Sequence, residues 1–506
     1  MPNKGLINSV LFWWIERRIK EISLFSSHSA EIQQSQLNNL LSNGKETIYG
    51  KSFNFSELKN YQQFKNTVPI VSYENFHSFI ERSLNGEKEV FWNKPINWYA
   101  KSSGTSNAKS KFIPISKNSL ESCHFKGGKD MFALYANNNS ETKIFDLLNL
   151  RLGGSFVKNK ENNYLFGDLS SILIHNLPIW AEIKNTPSKK TSLISSWEEK
   201  LPLIIKETME EEIGCLTGVP SWMYVFLTKL LEQSNKKYLD EIWPTIEVFF
   251  HGGISFNPYK ENFNNLFSNP INYLEVYNAS DGFFAIQDTK SNKDGLLLML
   301  DYGIFYEFIS MDNYNLNNAI PLWEVELNTN YAMVITTNGG LWRYLIGDTV
   351  KFISKNPYRI IISGRTQLYI NAFGEELMID NTEKAIGIAC KKTNAEIIDY
   401  TVAPRFMQKE STNGAHEWII EFKKDPTDLN LFNEIIDQTL KELNSDYEAK
   451  RKNNVTLSFP IIILAKKNLF YTWLKNKNKL GGQNKIPRLC NDRIILEELI
   501  ILNSSL

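Results

Sequence analysis

"YAKSSGTSNAKSKFIPIS", residues 99–116, is the stretch on which the reading of the whole chain turns. Ser and Thr hydroxyls crowd around Gly104, with Lys101, Lys109 and Lys111 among them. Such a loop lets backbone N–H groups and Oγ atoms converge on phosphate oxygens, while Lys111 supplies positive charge. "GTSNAKSK" has neither the Walker spacing GxxxxGK[ST] nor GxGxxG, so the two commonest nucleotide loops are excluded. Taken alone, the stretch fits a solvated Ser/Lys turn equally well. The rest of the chain has to decide.

Working outward, the first hundred residues read as helices; "SAEIQQSQLNNLLSNG" (29–44) has apolar residues at helical spacing and an Asn-Gly stop. From about residue 140, strands alternate with helices: "EIGCLTGV" precedes "PSWMYVFLTKLLEQS", and "IEVFFHGG" precedes "NPYKENFNNLF". That alternation predicts α/β units over a largely parallel sheet. Strands dominate between 271 and 365, and a smaller α+β unit follows. The expected fold is therefore α/β, with a large domain over 1–365 and a small one over 366–506.

Bulk composition narrows the function only by exclusion. The 506 residues carry 56 Lys+Arg and 56 Asp+Glu, so no global field draws the chain to nucleic acid or to an acidic membrane. Four scattered cysteines form no CxxC pair, and six histidines show no HxxxH spacing, which argues against disulfide, zinc and metal-hydrolase chemistry. The apolar run in "LINSVLFWWIERRIKEI" is too short to span a bilayer, so a packed amphipathic helix and a cytoplasmic protein are expected. His251, in "FFHGGISF", ends a strand before two glycines, but without a GxSxG elbow it reads as a core or loop histidine.

Two more segments give the opening loop its context. "VYNASDGFFAIQD" (276–288) puts an aromatic, small residues and a carboxylate at a turn between strands. "TTNGGLWRYLIGDTVKFIS" (336–354) puts Arg343 and Asp348 at another. An adenosine phosphate wants an aromatic beside the base, a carboxylate for the ribose hydroxyls and a cation for the phosphates. An acidic residue nearby can also hold Mg²⁺.

With these motifs in order, the sequence resembles the auxin-responsive acyl-acid amido synthetases, in their bacterial branch. That family lies within the adenylate-forming superfamily of acyl-CoA synthetases, non-ribosomal adenylation domains and luciferases. The phosphate-loop pattern is matched by Ser102, Ser103, Gly104, Thr105, Ser106, Lys111 and Pro114, and a tyrosine-to-acid motif by Tyr277 to Gly282. The "YFEF" strand resembles Phe305–Phe308, and "GLxRYxxGD" matches Gly340–Asp348. "SGRTQLYINAFGEEL" looks like the lead into a mobile C-terminal domain, and "GGQNKIPRL" resembles the C-terminal lysine motif, pointing to Lys485.

The resemblance implies an adenylate-forming fold whose large domain binds ATP and an acyl acid and whose small domain carries Lys485 as the catalytic lysine. The implied reaction adenylates a carboxylic acid, releases pyrophosphate and passes the acyl group to an amine such as an amino acid. A thioester-forming acyl-CoA ligase is the alternative, and an inactive nucleotide or acyl binder a third. On this reading Ser102 to Ser106, Lys111, Ser280 and Arg343 serve the phosphates, Tyr277 the adenine, Asp348 the ribose and Arg365 the ribose or phosphate. Asp281 would hold Mg²⁺. The chain departs from the pattern at Asn107 and Ala108, where glycine is common, at Gln367 near the hinge, and at Asp281, which stands where the superfamily usually has Glu.

Overall fold

In the computed structural model, residues 4–102, 111–159, 164–253, 256, 259–366, 369–370, 375, 377–405, 414–451, 457–480, 485–490 and 492–506 are described. The expected helical start is there, with helices Lys4–Ser23, Ser29–Gly44, Ile48–Ser52, Tyr61–Thr67 and Tyr73–Leu84. In Ser29–Gly44 the buried positions Gln33, Leu37, Leu40, Leu41 and Gly44 recur at helical spacing and make one inward stripe. Gln33 ties that helix to the sheet, donating to the carbonyls of Leu300 and Ile304 and accepting from Tyr306 N. The first helix is pinned by Arg18, which pairs with Asp130 and Asp301. Among the described residues no helix is long and apolar enough to cross a membrane.

The elements that frame the site are helix α1 (Phe125–Asn138) and strands β1 (Leu148–Arg151), β2 (Ile213–Gly218), β3 (Val248–Gly252), β4 (Asn272–Ala279), β5 (Gly282–Ile286), β6 (Tyr344–Lys355) and β7 (Tyr358–Arg365). All seven strands belong to one twelve-stranded sheet. The sequence predicts a largely parallel sheet, and only one end of it is so: β1 to β4 pair in parallel. From the β4–β5 hairpin onward the pairing is antiparallel, through Leu296–Leu298, β7, β6, Asn330–Thr337 and Ile304–Ser310. The parallel strands need helical crossovers, and the antiparallel ones are joined by short turns, so the two ends follow their connections. One turn, Ser280–Asp281, joins the two ends.

The apolar core divides by sheet face. Cys215, Val248, Phe250, Leu274 and Val276 pack toward α1. Leu150, Leu216 and Phe249 pack on the other side, against Met223, Phe226 and Phe263. Gly127 in α1 lets helix and sheet close up, because a Cβ there would fall 2.6 Å from the Phe283 ring. After β7 a separate core forms around a three-stranded sheet, Glu396–Arg405, Ala415–Lys424 and Ile461–Leu464, covered by helices Ile379–Thr393 and Leu429–Leu443. Its Ile419 and Ala403 side contacts Phe256 and Tyr259 of the large body.

Candidate active site

Asp348 is the best-anchored group of the site. It sits on β6 opposite Arg365 of β7, and the register brings the two together. Arg365 Nε donates to Asp348 Oδ1 at 2.7 Å, and the Tyr277 hydroxyl donates to Oδ2 at 2.5 Å. Each carboxylate oxygen thus keeps one acceptor position open, and the two face outward as a pair. Arg365 spends only Nε on this contact; its Nη1 and Nη2 have no partner among the described residues. The neighbouring Asp348 holds the guanidinium firmly charged.

Tyr277 belongs to β4, where its ring packs 4.8 Å from Phe284. Three residues on, Ser280 and Asp281 form the hairpin turn. Burial pushes the Asp281 carboxyl up to about 6, and the charge on Asp348 pushes the same way, while Lys111 and Arg365 oppose. Asp281 thus feels Asp348 as a like charge, and the nearby cations only partly offset it.

Lys485 reaches this point from the C-terminal segment. Its ammonium lies 3.1 Å from where a Cβ on Gly253 would stand, so the lysine occupies the space that glycine leaves. Gly253 has φ +82°, a left-handed backbone that suits glycine. Burial lowers Lys485 to about 8, with repulsion from Arg365 adding to it and Asp348 offsetting it. Tyr277, Ser280, Asp281, Asp348, Arg365 and Lys485 all line one cleft of about 2050 Å³. That is room for a nucleotide and a second substrate together.

The remaining sequence expectations divide three ways. Ser103, Gly104, Thr105 and Ser106 lie outside the described residues; Ser102 ends the strand Trp98–Ser102, in register with Lys111 of Lys111–Ile115. Lys111 holds its ammonium 5.5 Å above the Tyr73 ring, within electrostatic reach of Asp281. Arg343 is the correction. It is 3% exposed and does not line the cleft. Its Nε and Nη2 grip Glu307, and its Nη1 donates to the carbonyls of Lys65 and Val68. With four of its five N–H donors engaged inside the fold and no face on the cleft, it is not placed to meet a phosphate.

The fit for Mg²⁺ is partial in an informative way. Among the described residues no three His, Cys, Asp or Glu side chains gather as a metal cage. Asp281 offers one carboxylate, and Asp348 is already engaged on both oxygens. One protein carboxylate plus phosphate oxygens and water is a donor set that suits Mg²⁺.

Three cleft or near-cleft residues escape the sequence reading. Glu275, two residues before Tyr277 on β4, lines the cleft, and burial raises its carboxyl to about 7. His124 ends the π-helical turn Leu120–His124, pairs through Nδ1 with Asn278 Oδ1 at 3.1 Å, and is held neutral by burial. Arg151 ends β1 and faces the cleft. The signal for Glu275 and Arg151 was available: a charged residue inside or ending an apolar strand. His251 is a core residue, as the sequence suggests, stacked on Phe256 at 4.1 Å.

Comparison with known proteins is consistent along the chain. Models of the GH3 family match in sequence order: its N-terminal domain over 18–271, its central domain over 297–365 and its C-terminal domain over 380–494. A jasmonoyl–L-amino acid synthetase, GH3.5 of Oryza sativa subsp. japonica, is 22% identical over 94% of this chain and 95% of its own. The 4-substituted benzoates-glutamate ligase GH3.12 of Arabidopsis thaliana is 25% identical over 66% and 68%. Among solved structures, the GH3.15 acyl acid amido synthetase superposes with a TM-score of 0.79 at 17% identity, covering 95% of this chain and 94% of that one. A 2-hydroxyisobutyryl-CoA ligase in its postadenylation state gives 0.59 at 12% identity, covering 94% and 92%. At these identities the structural likeness speaks to fold.

Proposed function

Because the chain belongs to the GH3 family, we propose that it is an ATP-dependent acyl-acid amido synthetase, joining a carboxylic acid to an amine through an acyl-adenylate. The observation that carries this reading is the Asp348 carboxylate, fixed from both sides by Tyr277 and Arg365 with Lys485 beside it. Two open acceptor positions on a fixed carboxylate suit the two hydroxyls of a ribose. The named relatives are plant proteins; a bacterial placement rests on the motif resemblance alone.

A carboxylate is a poor acyl donor because its leaving group is oxide. In the first half-reaction a carboxylate oxygen of the acid attacks the α-phosphorus of ATP, the bond to the bridging oxygen breaks, and pyrophosphate leaves. The Lys485 ammonium and the free Nη groups of Arg365 meet the charge that gathers on the phosphate oxygens. Mg²⁺, held through Asp281 and the phosphates, would supply further neutralisation there. In the second half-reaction an amine nitrogen attacks the acyl carbon, AMP departs with the C–O bond electrons, and the nitrogen loses its proton. The domain carrying Lys485, residues 366–506, is the part expected to reposition between the steps.

The test is product analysis with Mg-ATP, a pool of carboxylic acids and a pool of amino acids. AMP, pyrophosphate and an amide are expected, and hydroxylamine should trap the acyl group when no amine is present. ADP and phosphate would overturn adenylation. Because the fold is shared with a CoA ligase, coenzyme A belongs in the same assay; a thioester in preference to the amide would move the assignment to that alternative.

A further inference from the structure

Most buried arginines of this protein are answered by a carboxylate: Arg18 by Asp130 and Asp301, Arg343 by Glu307, and Arg451 by Asp437. Arg151, half-buried where it lines the cleft, has no such carboxylate among the described residues. Its Nε is buried with no hydrogen-bond partner, and the side chain forms no ion pair. Glu182 is the acid whose field reaches it, and that carboxylate sits 3.9 Å from Lys189 instead. The nearby Lys184 ammonium is engaged with the Asp146 carbonyl. Desolvation with so little compensation lowers even this guanidinium to about 10. With Nε buried and unpaired and the rest of the side chain opening onto the cleft, this guanidinium has unspent donors facing a space that a ligand can enter.

Strand alternation says where Arg151 points. Side chains two apart share a face, so Arg151 follows Asn149, whose Oδ1 accepts from Thr217 Oγ1 at 2.8 Å. Thr217 is in register with Arg151 on one side and with Phe250 on the other, and Phe250 packs 5.3 Å from Phe132 of α1. This is the α1 face of the sheet. On β4 the same face carries Val276 and Asn278, whereas Tyr277 projects from the opposite face toward Asp348. The one cleft therefore takes residues from both faces: Glu275 and Tyr277 from one, and Arg151 with the apolar Phe132, Ile144 and Phe145 from the other. Three strand spacings, about 14 Å, separate the strand of Arg151 from β4.

We infer that Arg151 receives a second, remote carboxylate on the acyl acid, so that the acid substrates are dicarboxylic acids with an apolar spacer. This inference rests on the adenylation reading. One carboxylate attacks the α-phosphorus and displaces pyrophosphate; the other stays ionised on the guanidinium and forms no covalent bond. The planar fork of arginine matches a carboxylate through two parallel hydrogen bonds. A neutral ester in that place leaves the buried cation unanswered, and sites built around a polar partner reject such analogues strongly.

The experiment measures acid-dependent pyrophosphate exchange with the full-length protein, using dicarboxylic acids from succinate to sebacate, each beside its monomethyl ester. Exchange needs no amine, so it separates the acid from the α-carboxylate of an amino acid. The wild type should prefer its best diacid over the ester by about 10- to 100-fold, and Arg151→Gln should erase that preference. Equal rates with diacid and ester, or an undiminished preference in Arg151→Gln, would each overturn the inference. So would an effect confined to amide formation with the amino acid, which would put its carboxylate on Arg151. If no acid of any kind supports exchange, adenylation itself fails, and that outcome is distinct from the others.

Discussion

Two arginine–carboxylate pairs in this molecule are alike in geometry and opposite in purpose. Arg343–Glu307 ties the bend before β6 to the strand Ile304–Ser310, Arg365–Asp348 ties β7 to β6, and both pairs close to 2.7 Å. The first pair is sealed, with side chains 4% and 1% exposed; the second opens onto the cleft at 40% and 15%. Arg343 spends its donors on Glu307 and two carbonyls, and Arg365 spends one. An arginine in a nucleotide-like motif is thus not thereby a ligand for phosphate. What separates the two is unspent hydrogen-bonding capacity facing a space that a ligand can enter.

The sharpest way to break the comparison is to cut both arginines to the same apolar stub. Arg343→Met leaves Glu307 as an uncompensated buried charge and should cost about 3–5 kcal/mol, read as a large drop in the temperature of thermal unfolding. Arg365→Met should leave that temperature nearly unchanged and instead raise the KM for ATP. Similar unfolding temperatures for the two variants would mean that the pairs do not differ as described.

Next in size is Lys485→Ala, which should lower acid-dependent pyrophosphate exchange by about 100- to 1000-fold. Acyl transfer from a pre-formed adenylate should suffer much less. Equal loss in both assays would make Lys485 a structural residue. In the wild type, Lys485 must be protonated to act, and it is lowered to about 8, so exchange should fall as pH rises through about 8. Asp281 must be ionised, and it is raised to about 6, so exchange should also fall as pH drops through about 6. Lys485→Arg should move the alkaline limb upward.

A smaller effect tests the turn. If Asp281 reaches Mg²⁺ one methylene short, Asp281→Glu should lower the Mg²⁺ concentration giving half-maximal rate, and Asp281→Asn should raise it and remove the acid limb. A turn-closing role reverses that ranking, because Asn suits turns and Glu does not. Smallest is Tyr277→Phe, which removes one hydrogen bond to Asp348 and should weaken ATP binding by about tenfold. No change would mean that Arg365 alone orients the carboxylate.

How much of this was legible beforehand depends on how local the cause is. The N-terminal helices follow from spacing within single segments, and Tyr277, Asp281, Asp348, Arg365 and Lys485 stand out by motif; the structure brings all five to one cleft. The antiparallel end of the sheet was not legible as such, because strand direction is decided by connections and not by the strand's own residues. Arg343 was misread for a related reason. Its partner Glu307 lies on a different strand, and its backbone, with φ +42°, turns the side chain away from the cleft. Arg151 and Glu275 carried a sequence signal, a charge ending or inside an apolar strand, but that both line the cleft is set by how distant strands pack.

The hairpin that carries Asp281 has a consequence for how the molecule breathes. β4 and β5 are interior strands, paired on both sides over Asn272–Val276 and Ala285–Ile286, so the amides there meet solvent only when the large sheet itself comes apart. Lys485 rides on a segment outside any strand or helix, and its amide needs only a local opening. Hydrogen exchange should therefore split the cleft into a slow wall, the strands that carry the Ser280–Asp281 turn, and a fast one, the segment that carries Lys485.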